Sequence, residues 1–414
     1  MKQALLGDLE AQPRFATEES RIEVPRRPLR IFVSCAEASG EIHALNLVEA
    51  LRTRLRAVGA PTPEFVGLGG SRLANAGVAL LGDPVSSAKM GFSGVLGALP
   101  FYLRLVHTAA QAFAREEIDL FIPVDSPALH VPLGHIARRC GVPVVHYVTP
   151  QYWAWAPWRV GGYRGAVDLA LSILPFEPSW FERHGVEVAH VGHPLLDALP
   201  PAPRSTRNLA LPVERVALLP GSRRGVIELN LPVMLRALDL VFEDLDPPPE
   251  VWILQSDEGQ RSLIEALIAT TFTRFTPVCR FGEIDPPLAE VDLAFSVSGT
   301  VLIHLLHQRL PAIVLYRLGH RREVWLGQHF LTTPFFASVN LLAGREVYPE
   351  FSFAGSDPPP ELLEALGRAL KDPTWCGHCV RELEIAAERL GPPGAARRAA
   401  DAALARLSRE SSPA

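Results

Sequence analysis

The sequence predicts an α/β protein with two doubly wound parallel sheets. Short apolar runs alternate with longer helical patterns along the chain, which is typical of parallel strands that are covered by helices on both faces. A proline-rich segment with Pro194, Pro200, Pro201 and Pro203 interrupts this series near its middle. Because each half begins with a strand that leads into a turn of small residues, we expect two domains of similar build, joined near residues 194–212.

The strands are predicted where apolar runs are short and end in turn residues. In the first half these runs are residues 30–33, 63–66, 120–124, 143–148, 169–174 and 186–191. In the second half they are residues 216–219, 250–254, 278–281, 293–296 and 312–316. Residues 41–57 carry apolar side chains at helical spacing, and the chain from Pro360 onward has a helical pattern.

Composition excludes several classes of protein. The 414 residues carry a net charge of −5 and are 48% hydrophobic, so there is no basic field for nucleic acid and enough apolar material for full cores. Residues 1–28 carry Glu10, Glu18, Glu19 and Glu23 and lack the apolar stretch of a signal peptide, so we predict an extension that is disordered or loosely docked. No uninterrupted apolar run reaches the ~18 residues of a transmembrane helix. The longest candidate, residues 90–103, could lie in a membrane interface or pack in the first core.

The five cysteines are scattered, which fits a reducing cytoplasm. Cys376 and Cys379 have the spacing of a redox dithiol, but no strand precedes them as that motif requires. A zinc site would need further ligands, and no second cysteine pair is present. We therefore expect neither a redox role nor a metal at these cysteines.

Three turns of small residues are candidate ligand sites, because free N–H groups at the start of a helix bind anions. Two of them, residues 34–41 and 218–225, open the two halves, and neither has the spacing and lysine of a Walker loop. Arg223 in the second adds a fixed positive charge that suits a diphosphate, although the turn could also be an ordinary strand–helix connection. The third, Ser298-Gly299-Thr300, offers hydroxyls for phosphate or ribose oxygens, and Ser298 could equally be a helix cap.

Two features of the first half add chemistry. Asp125 directly follows an apolar run, and a carboxylate at the carboxyl end of a strand is well placed to act as a general base. An aspartate before Ser126-Pro127 can also simply build a turn. Residues 146–155 place four aromatic rings and a proline after another apolar run. They predict either a shaped wall for a ligand or a hydrophobic plug between the two domains.

Taken in order, a set of short segments makes the chain resemble the lipid-A-disaccharide synthases, which are inverting glycosyltransferases of the GT-B architecture. The segments are Ala36-Glu37-Ala38-Ser39-Gly40-Glu41, Gly67-Leu68-Gly69-Gly70, Met90-Gly91, Asp125-Ser126-Pro127, residues 146–155, Leu174-Pro175-Phe176-Glu177, Val191-Gly192-His193-Pro194, residues 218–223, Ser298-Gly299-Thr300 and residues 340–346. Together they span about residues 30–405. Each segment alone is weak, and residues 146–155 and 340–346 are the strongest.

The resemblance implies a GT-B fold in which two Rossmann-like domains face a central cleft. Residues 29–199 would form the acceptor-side domain, residues 212–375 would form the UDP-sugar domain, and the C-terminal helices, about 376–410, would pack back on the first domain. The family joins UDP-2,3-diacylglucosamine to 2,3-diacylglucosamine 1-phosphate through a β-1,6 bond and releases UDP, with no metal or other cofactor. A cytoplasmic location, peripheral on the cytoplasmic face of the inner membrane, and a homodimer are also implied.

The resemblance also assigns site residues. Asp125 would be the catalytic base, and Glu37 would be a second essential acid across the cleft. The UDP side would be lined by Gly221, Ser222, Arg223, Ser298, Gly299, Thr300, His304 and Asn340. The acceptor and acyl side would include Ser39, Gly40, Met90, Trp153 and Trp155.

The chain departs from the family at several polar positions. His304 stands where the family commonly has a glutamate, and a neutral histidine accepts only one hydrogen bond from ribose hydroxyls. Ala128 and His130 replace an acid and an amide, while Val226 and Gly94 replace glutamates. Two alternatives therefore stay open: a diverged paralogue that uses another sugar nucleotide or acceptor, and a non-catalytic homologue that binds a glycolipid or a nucleotide.

Overall fold

The computed structural model describes Phe15 and residues 24–89, 95–115, 117–200, 213–320 and 332–411. These residues form two compact units. The first unit is built from the described part of residues 11–197 together with the last helix, and the second from the described part of residues 198–390. Met90, Gly94 and most of the predicted N-terminal extension lie outside the described residues.

The first unit contains a parallel sheet of seven strands in the order β3-β2-β1-β4-β5-β6-β7. Its strands are β1 Arg30–Cys35, β2 Glu64–Leu68, β3 Ala79–Gly82, β4 Leu120–Val124, β5 Val145–Tyr147, β6 Leu169–Ser172 and β7 Val188–His190. Its helices are α1 Ala38–Ala57, α2 Ser71–Asn75, α3 Pro84–Lys89, α4 Val95–Arg115, α5 Pro127–Arg139, α6 Tyr152–Trp155, α7 Val160–Ala166 and α8 Glu177–Arg183.

The second unit contains a parallel sheet of six strands in the order β10-β9-β8-β11-β12-β13. Its strands are β8 Arg215–Leu219, β9 Glu250–Gln255, β10 Val278–Phe281, β11 Leu293–Val297, β12 Ala312–Leu318 and β13 Glu350–Ala354. Its helices are α9 Arg224–Val241, α10 Arg261–Thr270, α11 Asp285–Leu288, α12 Val301–His307, α13 Ser338–Ala343, α14 Pro360–Lys371 and α15 Pro373–Leu390. The last helix of the chain, α16 Ala395–Ser411, belongs to the first unit.

The strand order fixes where each sheet can receive a ligand. In both sheets the chain starts in the middle, adds strands to one side and then crosses to the other side. The crossing falls between β1 and β4 in the first unit, where Cys35 pairs with Val124, and between β8 and β11 in the second, where Leu219 pairs with Ser296. In open α/β sheets, ligands bind outside the carboxyl ends of the strands at this switch point.

The return of α16 to the first unit has a local cause. The Asp197 carboxylate accepts hydrogen bonds from the main-chain N–H groups of Gly394, Ala395 and Ala396, at 2.6, 3.0 and 2.9 Å. A carboxylate at a helix N-terminus satisfies donors that have no partner within the helix. The Arg54 side chain in α1 pairs with Asp401 in α16, and alanines of α16 join the apolar core under the first sheet.

The doubly wound parallel sheets confirm the predicted fold class, and every predicted strand is present. Two edge strands, β3 and β13, were missed, because both are short and only half-buried, so their apolar pattern is weak. The C-terminal helices divide differently from the expectation. Only α16 packs with the first unit, whereas α15, which includes Cys376 and Cys379, belongs to the second.

Phe15 pairs with the end of β7 and stacks on His190 with ring centroids 4.9 Å apart, so this residue of the extension is docked on the first unit. Among the helices that the structure describes, none combines the length and hydropathy needed to cross a bilayer.

Candidate active site

The switch point of the first unit carries two carboxylates. Glu37 follows β1, Asp125 follows β4, and the last residues of these two strands are paired. Burial raises the pKa of the Asp125 carboxyl, the Ser126 N–H opposes this shift, and the negative charge of Glu37 raises the pKa further. Both acids therefore belong to one unit and follow two paired central strands, so they do not face each other from different domains.

The buried acid Glu41 shapes the turn after β1. The resemblance to the family includes this residue but assigns it no role. Glu41 in the first turn of α1 is 4% exposed and accepts hydrogen bonds from the N–H groups of Arg72 and Leu73, at 3.0 and 3.3 Å. It caps α2 in this way, and a side chain at Gly70 would meet its carboxylate at 2.7 Å. Ser39 is exposed and Gly40 is buried, and both stand in the first turn of α1 beside Asp125's strand.

The aromatic segment 146–155 is mostly interior to the first unit. The Trp153 indole is 3% exposed, donates to the Glu177 carboxylate at 3.1 Å and packs edge-on against Phe176. Trp153 therefore braces the fold and is not open to an acceptor, which corrects its expected place on the acceptor side. Trp155 is 46% exposed, with the Arg159 guanidinium 5.6 Å from its ring centre, so it remains available to a ligand.

Glu177 is a buried acid whose part in this loop the sequence did not reveal. Its carboxylate also accepts hydrogen bonds from the N–H groups of Ile173 and Leu174, at 3.0 and 2.9 Å. Burial raises its pKa to about 7, even though these donors favour the ionised form. Glu177 ties the turn after β6 to the aromatic loop after β5 through Trp153.

A cavity of about 330 Å³ opens beside the Asp125 turn within the first unit. Its wall is apolar, with Arg159 as its charged member, and it is lined by Pro127, Ala128, Val131, Pro132, Tyr152, Arg159 and Gly162. Ala128 stands where the family has an acid, so the departure at this position makes the wall apolar. The switch point therefore offers a carboxylate next to an apolar recess.

The switch point of the second unit carries the two predicted ligand turns. Gly221 follows β8 with φ 103, a backbone conformation that glycine adopts readily and other residues rarely. A side chain there would meet Val226 Cγ1 at 2.7 Å. Ser222 and Arg223 are exposed just before α9, whose first N–H groups lack helical partners. The turn combines bare main chain with positive charge, as a diphosphate requires.

The second turn, Ser298-Gly299-Thr300, follows the neighbouring strand β11. Gly299 and Thr300 are exposed, and the Ser298 hydroxyl donates to the Phe336 carbonyl at 3.0 Å. Ser298 thereby holds the segment before α13 against this turn, while its oxygen can still accept a hydrogen bond. Both predicted ligand turns lie at the ends of adjacent central strands.

Asn340 has a different role from the one expected. It is fully buried, its amide nitrogen donates to the Tyr348 carbonyl and to Glu350, and its amide oxygen accepts from the N–H groups of Val347 and Tyr348. All its hydrogen-bonding capacity is used inside the unit, so it has none left for a nucleotide. Glu350, which the sequence did not indicate, accepts from Asn340 and from the N–H groups of Phe336 and Ala337.

His304 lies on α12 and is paired with a carboxylate from another element. Its Nδ1 is 2.8 Å from Asp285 Oδ1, at the start of α11. An ionised carboxylate only accepts, so Nδ1 carries the hydrogen, and in the neutral ring Nε2 is then an acceptor. The position at which the family glutamate is missing therefore still has a carboxylate, supplied by Asp285.

Cys376 and Cys379 are buried within helix α15, and their thiols face the carbonyls of Ala369 and Val347. Burial raises the pKa of the Cys376 thiol to about 11 and that of Cys379 further still. A reactive dithiol needs a lowered pKa and access to solvent. These cysteines are core residues.

Solved structures with the GT-B fold are similar to this chain along most of its length. The structure of MnaA from Staphylococcus aureus with UDP is similar with a TM-score of 0.57 at 12% identity, covering 89% of this chain and 94% of that one. UGT89C1 of Arabidopsis thaliana in complex with UDP gives 0.54 at 12% identity, covering 92% and 100%. MurG of Acinetobacter baumannii gives 0.51 at 13% identity, covering 91% and 99%. These likenesses establish the fold class as GT-B.

Sequence relatives identify the family within that class. The family model of lipid-A-disaccharide synthetase matches residues 31–374. The lipid-A-disaccharide synthase of Myxococcus xanthus is 35% identical over 387 residues, which cover 91% of this chain and 97% of its own. That of Syntrophus aciditrophicus is 32% identical over 382 residues, covering 90% and 97%. The chain belongs to the lipid-A-disaccharide synthase family and is a hexosyltransferase of lipid A biosynthesis.

Proposed function

We propose that Asp125 is the general base of the family's reaction, which joins UDP-2,3-diacylglucosamine to 2,3-diacylglucosamine 1-phosphate. The acceptor 6-hydroxyl would give its proton to the Asp125 carboxylate while its oxygen bonds to the anomeric carbon of the donor. The bond from that carbon to the diphosphate breaks, and UDP leaves with the electron pair. The observation that carries this proposal is the place of Asp125 at the switch point, with a pKa raised by burial and by Glu37. A carboxylate with a raised pKa is a stronger base.

Glu37 has a supporting role in this scheme. It stands at the end of the neighbouring strand, and its charge raises the pKa of Asp125. Ser39 and Gly40 follow it in the same turn, on the side where the acceptor would lie. The apolar recess next to Ala128 would hold an acyl part of the glycolipid, with Arg159 and Trp155 at its edge.

The second unit would bind the UDP part of the donor. Gly221, Ser222 and Arg223 would hold the diphosphate through bare main chain and a guanidinium, and so stabilise the charge on the leaving group. Ser298, Gly299 and Thr300 would meet the ribose side. UDP in the related folds of MnaA and UGT89C1 supports the assignment of the nucleotide to this chain as well.

His304 and Asp285 would together replace the family's glutamate. With Nδ1 donating to Asp285, Nε2 of His304 can accept one ribose hydroxyl, and the carboxylate of Asp285 has lone pairs left for the other. The departure at His304 is therefore compatible with a UDP-sugar donor.

Peripheral membrane binding at the cytoplasmic face of the inner membrane is part of the same proposal. Leu99 and Leu103 are 48% and 59% exposed, and residues four apart share a face of helix α4. Such an apolar face would bring the site to its lipid substrates. Replacing both leucines by aspartate should abolish co-sedimentation with anionic phospholipid vesicles. Unchanged sedimentation would rule out this face.

A homodimer is also proposed, and light scattering would test it.

The reaction is tested by mass spectrometry of the purified protein with UDP-2,3-diacylglucosamine and 2,3-diacylglucosamine 1-phosphate. We expect disaccharide 1-phosphate and UDP in equal amounts, and Asp125→Asn should lower turnover by about 10²–10⁴-fold. Turnover of the Asn variant at the wild-type rate would remove the base assignment. A wild-type protein that binds no UDP at millimolar concentration would instead be the non-catalytic homologue.

A further inference from the structure

The main chain at Asp125 has a conformation that residues with side chains seldom adopt. Asp125 has φ 54 and Ser126 has φ 47, both in the left-handed region. For residues other than glycine this region costs free energy, and it persists only where surrounding contacts enforce it. The Asp125 N–H donates to the Tyr147 carbonyl at 2.9 Å, which fixes one end of the residue.

The other end is fixed by two buried imidazoles. The Asp125 carbonyl oxygen lies 2.5 Å from His130 Nδ1 and 3.0 Å from His146 Nε2. The two rings are 2% and 1% exposed and stand edge-on with centroids 6.1 Å apart. A carbonyl oxygen only accepts hydrogen bonds and has two lone pairs. Both nitrogens must therefore donate, and together they fill the oxygen.

The remaining ring nitrogens fix both tautomers. Burial lowers the pKa of His130 to about 3 and that of His146 to about 4, so each ring is neutral near pH 7 and has one N–H. His130 Nε2 is 2.9 Å from the Ser34 hydroxyl, and His146 Nδ1 is 2.9 Å from the Tyr163 hydroxyl. Since both nitrogens must accept, the two hydroxyls donate. Every proton of the network then has one place.

We infer that His130 and His146 are positioning residues for Asp125, which hold its carbonyl in the left-handed turn and thereby aim its carboxylate. This inference rests on the proposed role of Asp125 as the base. With N–H and C=O both fixed, only the side-chain torsions of Asp125 stay free. A base that must reach a hydroxyl within hydrogen-bond distance gains from such a restriction.

The inference also accounts for a departure from the family. His130 stands where the family has an asparagine. Asparagine Nδ2 is bonded to Cγ, as histidine Nδ1 is, so an asparagine can make the same hydrogen bond to the Asp125 carbonyl. The histidine keeps that donor and adds the contact with Ser34. The substitution at this position therefore preserves the positioning of Asp125.

The two histidines use opposite ring nitrogens, and this gives a crossed test. Asparagine mimics the Nδ1 position and glutamine mimics the Nε2 position. His130→Asn and His146→Gln keep the donor to Asp125, whereas His130→Gln and His146→Asn lose it and keep the outer contact. We expect kcat of the first pair to stay near the wild-type value. We expect kcat of the second pair to fall by about 100-fold with little change in KM.

A role in packing alone predicts a different result, because it ranks the two amides alike at both positions. Equal kcat for all four folded variants, with Asp125→Asn inactive, would overturn the positioning role and leave the base in place. An active Asp125→Asn would remove the base and this inference with it. Melting temperatures of the variants separate loss of fold from loss of turnover.

The tautomers supply a measurement that needs no active-site variant. In the ¹⁵N spectrum of the histidine-labelled wild-type protein, we expect the proton of His130 on Nδ1 and that of His146 on Nε2. A spectrum that shows the opposite tautomers for these two rings would overturn the inference. Ser34→Ala removes the donor to His130 Nε2, but the Asp125 carbonyl still requires the proton on Nδ1. We therefore expect His130 to keep the Nδ1–H form in this variant, with kcat close to the wild-type value. A shift of His130 to the Nε2–H form with kcat unchanged would overturn the inference, because the hydrogen bond to Asp125 would then be lost without effect on turnover.

Discussion

In each unit, a residue in the left-handed region of backbone conformation follows a central strand, and the two units stabilise this conformation differently. In the second unit the residue is Gly221, with φ 103, and glycine adopts this conformation without help. In the first unit it is Asp125, with φ 54, which is held by two imidazoles on its carbonyl. A turn that offers bare main chain to a ligand can be glycine. A turn that must carry a carboxylate cannot, so buried side chains hold its backbone.

Holding the Asp125 turn with buried histidines should make the first unit less stable in acid. A histidine that is neutral when buried must gain a proton when the chain unfolds in acid. Burial lowers the pKa of His130 to about 3 and of His146, His43 and His190 to about 4, and all four lie in the first unit. The stability that they contribute is present above the ordinary histidine pKa of about 6.5 and is lost as pH falls toward the folded values.

The largest expected effect is therefore on acid stability of the first unit. Between pH 8 and pH 4, the free energy of unfolding should fall by about 3 kcal/mol on account of His130, because its ring takes up a proton in the unfolded chain but stays neutral in the fold. His130→Asn has no titrating ring at this position, so its free energy of unfolding should fall by about 3 kcal/mol less than that of the wild type over the same pH range. Urea unfolding at both pH values, followed by hydrogen exchange of peptides from α5 and β5, measures the difference. His107→Asn, at an exposed histidine of α4, is the control. Equal acid losses in the wild type and His130→Asn would contradict the buried neutral ring.

Glu177 should give the opposite pH dependence within the same unit. Its folded pKa of about 7 is above the usual value near 4.5, so its stabilisation is complete below pH 4.5 and is lost as pH rises through 7. The wild type should lose up to about 3 kcal/mol between pH 4.5 and pH 8 from this group. Glu177→Gln should lack that loss, although its amide would leave one N–H donor unmatched and lower stability at every pH.

Urea titrations of Glu177→Gln and wild type at several pH values test this. Glu182→Gln, at an exposed acid of the same helix, is the matched control. Parallel pH profiles for the wild type and Glu177→Gln would mean that Glu177 is ionised in the fold at neutral pH.

A smaller effect is expected at the glycine turn of the second unit. Gly221→Ala would force a side chain into the left-handed region and within 2.7 Å of Val226 Cγ1. The turn must shift, and we expect UDP affinity to fall by about tenfold, which corresponds to about 1.4 kcal/mol. Gly225→Ala is the control, because a side chain there meets open space. Titration calorimetry with UDP measures both. Equal affinities would show that the main chain of this turn does not contact the diphosphate.

The sequence predicted where Asp125 and the two ligand turns of the second unit lie in the fold. Asp125 and the turns at Gly221 and Ser298 all follow central strands whose apolar runs are strong, and the strand order brings them to the switch points. Such positions depend on local pattern and on a general rule of α/β sheets. For the same reason the missed strands are the weakly patterned edges β3 and β13.

Side-chain roles were harder to predict, because they depend on distant partners. Trp153 and Asn340 belong to segments that mark the family, and a tryptophan or an amide has the same appearance in a sequence whether it lines a ligand or braces a loop. Their partners, Glu177 and Glu350, settle the question and are 24 and 10 residues away. In the sequence, His130 is recognisable only as the replacement of a family amide, since nothing near it in the sequence indicates its contact with Ser34 on β1.

The smallest expected effect concerns His304, which faces a carboxylate where His130 faces a carbonyl. His304→Glu restores the family's residue but sets two carboxylates against each other, because Asp285 Oδ1 is 2.8 Å from the present ring nitrogen. We expect this single change to weaken UDP binding by about tenfold or less, and Asp285→Asn to weaken it similarly. The double variant should recover, since an amide can donate to the new glutamate.

A comparison of UDP with 2′-deoxy-UDP shows whether the pair recognises ribose. Wild type and the double variant should prefer UDP, while Asp285→Asn should lose much of that preference, because its ring partner no longer fixes Nε2 as an acceptor. Additive losses in the double variant, with the same preference in every protein, would mean that His304 and Asp285 form only a structural pair. The departure from the family at His304 would then have no part in the site, unlike the departure at His130 in the first unit.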